Sequence, residues 1–137
     1  MPKNLLIDLN VVIDVFLERA GYEASRDVIA LGQHDDYRLF LSAHAVTTFA
    51  YLLESAKVPK TQISRHIDWL LQTFRIVPVD GALLRTALAS QVRDYEDAVV
   101  EGAAITCNGS TIVTRNLKDF KASVVLAAKP EDYLKAT

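Results

Sequence analysis

The chain has 137 residues, half of them apolar and 23% charged, which suits one core and a single domain over residues 1–137. Fifteen Lys and Arg against 17 Asp and Glu give a net charge of −2. That excludes a protein that coats nucleic acid by bulk positive charge, but not a local basic rim. The lone Cys107 excludes an internal disulfide, and Met1-Pro2-Lys3 begins no apolar leader. No apolar run is long enough to span a bilayer, so a cytoplasmic protein that does not enter a membrane is expected.

Asn4 to Ile7 reads as a strand buried on both faces, because such strands in parallel sheets are nearly continuous Leu, Ile and Val. Asp8 ends it, and Asn10 is the expected N-cap of a helix from Val11 to about Arg19. Gly21 interrupts, and a half-exposed helix follows from Glu23 to about Gln33, closed by His34-Asp35-Asp36. Tyr37 to Leu41 is the second predicted strand, and Ser42 caps a helix to about Ala56. After Pro59, Thr61 to Thr73 has inward apolar positions at helical spacing. Arg75 to Val79 is a short strand whose Pro78 limits its pairing, and Asp80 caps a helix from Gly81 to Arg93. Asp94-Tyr95-Glu96-Asp97 opens the next helix, to about Cys107, with acids where the macrodipole favours them. Asn108-Gly109 is a turn, Thr111 to Thr114 a strand, and Arg115 to Phe120 a loop or single helical turn. Val124 to Leu126 is the last predicted strand, and Pro130 starts a terminal helix. Strands alternating with helices imply a mostly parallel five-stranded sheet in a three-layer α/β/α sandwich.

Ligands of open α/β folds bind beyond the carboxyl ends of the strands, which is where Asp8 falls. Asp97, with Asp94 a turn earlier, and Asp119, with Asn116 nearer the strand, occupy equivalent places. Asp14 shares a helix face with Asn10. Each residue has a plainer use taken singly. Asp8 and Asn10 can cap a helix, Asp97 can serve a helix dipole, Asp94, Glu96 and Asp119 can simply be solvated, and Glu101 can be a surface acid. Together they point to metal-assisted hydrolysis. Packed carboxylates repel by about 4 kcal/mol per pair at 4 Å with an effective dielectric near 20. A divalent cation removes that penalty, and Mg²⁺ or Mn²⁺ takes oxygen ligands while keeping waters.

Leu6-Ile7-Asp8-Leu9-Asn10-Val11-Val12-Ile13-Asp14, Asp94-Tyr95-Glu96-Asp97-Ala98 and Ile112-Val113-Thr114-Arg115-Asn116-Leu117-Lys118-Asp119-Phe120 come in this order. Together they resemble the motifs of the PIN domain nucleases, a family that includes many toxins of bacterial toxin–antitoxin pairs. The resemblance implies a PIN-like fold and an Mg²⁺- or Mn²⁺-dependent endoribonuclease. Asp8, Asp97 and Asp119 would be catalytic metal ligands, with Asn116 beside them. Asn10, Asp14, Asp94 and Thr114 would support the site. Arg115 and Lys118 would contact RNA phosphates, with Arg19 and Arg93 farther along the rim. The family's usual Glu in the helix after the second strand aligns with Thr48, which brings a hydroxyl and no charge. The resemblance further implies a small antitoxin, seated on an apolar groove of Phe16, Leu17, Trp69 or Phe74, and a homodimer.

Two other readings remain at this point. A PIN-like domain weakened or inactivated by the loss of that Glu would act as an RNA- or protein-binding module. A response-regulator-like domain would need a late strand ending in Lys, where this chain has Thr114-Arg115-Asn116.

Overall fold

The computed structural model describes all of residues 1–137. Five strands, β1 (Lys3–Ile7), β2 (Tyr37–Ser42), β3 (Arg75–Val77), β4 (Thr111–Val113) and β5 (Ala127–Ala128), form one sheet in the order β3-β2-β1-β4-β5. Every neighbouring pair is parallel. The chain first builds outward from β1 through β2 to β3, then returns to place β4 on the other side of β1. The direction of winding therefore reverses between β1 and β4, and a crevice opens there at the carboxyl edge.

Seven helices cover the two faces: α1 (Leu9–Leu17), α2 (Tyr22–Ala30), α3 (Ala43–Ser55), α4 (Lys60–Thr73), α5 (Gly81–Leu88), α6 (Tyr95–Thr106) and α7 (Pro130–Lys135). Alternation along β1 divides the core. Leu5 and Ile7 point into one cluster with Val11, Val28, Phe49 and Leu70. Leu6 points into the other with Leu83, Val99, Ala103 and Ile112. These are the three layers expected, and burying each such Leu, Ile or Phe contributes about 1.5–3 kcal/mol. No helix is long and apolar enough to cross a membrane.

Three boundaries differ from expectation, each for a local reason. Asp8, not Asn10, caps α1: its extended backbone and its carboxylate, which accepts from the Leu9 N–H, start the helix two residues early. The helix after Asp80 stops at Leu88, and Ser90 holds the following turn by accepting from Val92 N–H. The last strand lies at Ala127–Ala128 and not Val124–Leu126, because Val113 pairs with Ala128 and leaves Val124 and Leu126 exposed. Glu101 is a buried tie for these segments and not a surface acid. It accepts from Ser90 Oγ at 2.6 Å and from Val124 N at 2.8 Å.

A partly buried ion-pair network centred on the buried Asp14 fastens α7 to α1 and α2. Arg115 Nε donates to Asp14 Oδ2 at 2.6 Å, Nη1 donates to Glu131, and Nη2 donates to Gly21 O at 2.7 Å and Ser25 Oγ at 3.0 Å. Gly21 has φ +85°, and a Cβ there would lie 3.3 Å from both Arg115 and Glu131, so glycine fits the bolt as well as the backbone. Four of the five guanidinium N–H groups are thereby used. Arg115, expected at RNA phosphates, and Asp14, expected to support the acids, are instead each other's partners. Removing Arg115 leaves the buried Asp14 with only Ser25 and, at 3.9 Å, the exposed Arg19. Arg115→Met should therefore lose about 3 kcal/mol in urea unfolding, and Asp14→Asn added to it should cost far less than when made alone.

Candidate active site

The centre of the crevice is a hydrogen-bonded knot between the ends of β1 and β4. Asp8 N–H donates to Val113 O at 2.9 Å, which carries the parallel ladder one residue past the strands. Thr114 Oγ1 then donates to Asp8 Oδ2 at 2.8 Å, and Asn10 Nδ2 donates to the same oxygen at 3.3 Å. Asn10 Oδ1 accepts from Arg115 N at 3.1 Å, and Thr114 Oγ1 accepts from Asn116 N at 3.0 Å. The knot fixes the rotamer of Asp8 and the path of the turn that carries Asn116, Lys118 and Asp119. Three of about four lone-pair positions on Asp8 are used, two by side chains and one by Leu9 N, which leaves one on Oδ1.

The other acids reach this edge on two separate elements. Asp94 caps α6 by accepting from Asp97 N at 3.1 Å, so Glu96 and Asp97 stand in the first helical turn. Asp119 lies on a 3-10 turn, Leu117–Phe120, whose buried Phe120 anchors it while Asn116, Lys118 and Asp119 stay exposed. The charges interact. Burial pushes the Asp97 carboxyl up to about 7, with Asp94, Asp8, Asp119 and Glu96 adding to the rise. Burial also raises Asp8. Hydrogen bonds from Thr114 and Leu9 pull it back, while Glu96 and Asp119 push it higher.

Glu96 is the residue that sequence reasoning passed over. Its charge acts on Asp8, on Asp97 and on His44 of α3, so it belongs to the same field. The available signal was its place beside Asp97 in one helical turn. His44 is held below the ordinary histidine range by burial, against the pull of Glu96, and its Nδ1 is buried without a partner. Thr48 contributes little here: its hydroxyl donates to His44 O at 3.0 Å within its own helix. Asp8, Asp97 and Asp119, with Glu96 and Asp94, are thus within reach of one another's charge, whereas Asp14 and Arg115 are engaged in a separate network.

No three His, Cys, Asp or Glu side chains close around a common point at ligand distance. The donors are oxygens, from carboxylates that repel one another and from nearby amides. Such a set fits a hard cation that keeps several waters, as Mg²⁺ and Mn²⁺ do, better than a closed zinc site of nitrogen and sulfur. Asp8, Asp97 and Asp119 are the residues that could hold it.

Comparison with known proteins identifies the family and the fold. The PIN domain family profile matches residues 4–118. VapBC2 from Rickettsia felis, bound to a DNA fragment from its promoter, superposes with a TM-score of 0.69 at 17% identity, covering 92% of this chain and 98% of that one. A toxin–antitoxin complex from Klebsiella pneumoniae gives 0.68 at 21% identity, with 92% and 97% covered. VapC20 of Mycobacterium tuberculosis, described as a toxin that cleaves the sarcin–ricin loop, gives 0.66 at 15% identity, with 92% and 99% covered. At these identities the likeness is one of fold. No curated protein matches the sequence.

Between the ordinary carboxylate value of 3.8 and about 7, folded Asp97 holds a proton that the unfolded chain has released. The metal-free protein should therefore lose stability as pH rises through that window. Asp97→Asn should flatten this slope and raise the melting temperature by a few degrees at pH 8. Melting curves of both proteins in EDTA from pH 4.5 to 8 read this out, and parallel slopes would contradict the origin given for the shift.

Proposed function

We propose, from the premise that this chain belongs to the PIN domain family, that it is an Mg²⁺- or Mn²⁺-dependent endoribonuclease and the toxin of a toxin–antitoxin pair. What supports the reading is that Asp8, Asp97 and Asp119, carried on three separate elements, lie near enough at the carboxyl edge of the sheet for their charges to act on one another. An acidic cluster of this kind costs folding energy when empty and is worth keeping for a cation.

Asp8, Asp97 and Asp119 would hold the cation, which supplies Lewis acidity at the scissile phosphate and lowers the pKa of an attacking water. Asp8 is held ready for that role by Thr114 and Asn10, so it needs no rotamer change when RNA arrives. Asn116 is exposed on the turn beside Asp119, and its amide is available to orient a phosphate oxygen or a water. Lys118, exposed on the same turn, offers an ammonium to the RNA backbone.

The partner reading rests on an apolar surface between α1 and α4. Val15, Phe16, His66 and Trp69 line a cleft of about 430 Å³ there, with Leu17 exposed next to Phe16. Phe16 and Trp69 meet edge to face at 5.6 Å. Phe74 is only 3% exposed and belongs to the core behind Trp69, not to the groove. A small antitoxin laying an amphipathic segment into this groove is the occupant we propose, with a homodimer as the assembled form.

One observation favours the alternative of a weakened, RNA- or protein-binding domain. Thr48 brings no charge, and its proton is spent on His44 O. Cleavage of labelled RNA in Mn²⁺, Mg²⁺ or EDTA separates the two. The native protein should cleave only with metal, and Asp8→Asn with Asp97→Asn should lower the rate by more than about 100-fold, the upper range for loss of an outer metal partner. Thr48→Glu should lower the Mn²⁺ concentration needed for half-maximal rate several-fold. Equal cleavage by native and double variant would contradict the reading, and so would no cleavage by Thr48→Glu.

A further inference from the structure

A second cleft opens on the acids from the side of the 3-10 turn. It encloses about 610 Å³, and its walls include Arg93, Asp94, Tyr95, Lys118, Asp119 and Lys121. Asp119, one of the three proposed metal ligands, lines this cleft, so the cleft borders the proposed reaction centre. Its size lies within the range of pockets that take a small organic ligand, and a nucleotide fits that range.

The three cations in this cleft are free. The ion pairs of the structure use Arg19, Arg26 and Arg115, so Arg93, Lys118 and Lys121 are exposed and unpaired although carboxylates stand nearby. Three unpaired cations against the carboxylates of Asp94 and Asp119 leave this concavity with a net positive lining in a chain of net charge −2, which bulk composition conceals. Tyr95 supplies a different contact. Its hydroxyl donates to Leu84 O of α5 at 2.8 Å, which pins the ring across the start of α6, yet the residue remains 45% exposed. A ring fixed at its polar end and open along its side is a preorganised stacking surface. Only an unpaired base can offer its face to such a ring, since paired bases are already stacked within a helix.

We propose that this cleft is a subsite for one unpaired nucleotide next to the scissile phosphate, with Arg93 and Lys121 on its backbone phosphate and Tyr95 stacked on its base. The inference rests on the ribonuclease reading and deepens it, because it assigns Arg93, Tyr95 and Lys121, which lie outside the proposed metal ligands, to one nucleotide of the substrate. Lys118, on the turn between the cleft and Asp119, spans the two parts of the site.

Fluorescence anisotropy of a labelled, unstructured RNA hexamer tests it, with the same sequence in a duplex as comparison. The protein carries Asp8→Asn and Asp97→Asn, in EDTA, so that no cleavage occurs and fewer acids repel the strand. The single strand should bind more tightly than the duplex. Adding Tyr95→Ala should weaken single-strand binding roughly 5- to 150-fold, the measured range for one base–aromatic stack. Tyr95→Phe, which keeps the ring and loses the tie to Leu84, should lose much less. Lys121→Ala, an exposed change that leaves the core intact, should reduce the slope of log affinity against log salt by about 0.7. Unchanged binding by both Tyr95→Ala and Lys121→Ala, or equal binding of duplex and single strand, would overturn the subsite. Metal-dependent cleavage by the otherwise native protein, followed in parallel, separates the two claims. Cleavage whose KM ignores both substitutions overturns the subsite and leaves the nuclease standing. Cleft-dependent binding by a protein that never cleaves upholds the subsite and removes the nuclease.

Discussion

Asp8 holds two posts at once. Its carboxylate starts α1 by accepting from Leu9 N–H, and the same carboxylate is gripped by Thr114 and Asn10 at the reversal of the sheet. Those bonds join the first strand to the fourth, more than a hundred residues later in the chain. They also settle where the turn bearing Asn116, Lys118 and Asp119 lies. Without this junction, the acids of α6 and of the 3-10 turn would have no fixed partner at the crevice. The cost is visible in Asp8 itself, which burial and its acidic neighbours push above the ordinary carboxylate range. A carboxylate held in place against its own charge is a poor structural choice and a good ligand.

Around that junction, charge is arranged with economy. Arg115 lies next in sequence to Thr114, but its guanidinium turns into the network of Asp14, Ser25 and Glu131 and holds α7 against α1 and α2. Its backbone N–H, by contrast, orients Asn10. One residue thus stabilises the scaffold with its side chain and the site with its main chain. Among the cations in no ion pair are Lys118 on the turn and Arg93 just before α6, which stand beside the acids. A chain that is acidic overall can in this way present an acid centre with a basic approach.

The sheet was legible because its central strands are the most apolar stretches of the chain. Leu5 to Ile7 and Thr111 to Val113 lie where expected, and their neighbours follow from parallel alternation. The last strand was misplaced because Val124-Val125-Leu126 is the better strand former. Register against β4 chose Ala127–Ala128 instead, and two small residues carry no hydrophobic signal. The choice of Asp8 over Asn10 as cap turned on backbone geometry that both residue types support equally. Within the site, Asp8, Asp97 and Asp119 were visible through their positions relative to strands and helix starts. Glu96 is exposed, as a solvated acid would be, and its action on Asp8 and Asp97 was not visible because no spacing rule says how far the charge of a first-turn acid reaches. Glu101 and Phe74 changed place for a related reason. Whether a residue is a rim group or an interior one depends on what packs over it, the loop residues Ser90 and Val124 in the first case and Trp69 of α4 in the second, and such packing has no local signature.

The central claim is that Asp8, Asp97 and Asp119 form one divalent-cation site. Titration calorimetry of Mn²⁺ into the purified protein at pH 6.5, in buffers of different ionisation enthalpy, tests it most directly. Binding should release a proton, because Asp97, raised to about 7, is largely protonated at that pH and must ionise to take a metal. Asp97→Asn should abolish the proton release and most of the affinity. Binding with no buffer dependence, or equal binding by Asp97→Asn, would contradict the site as described here.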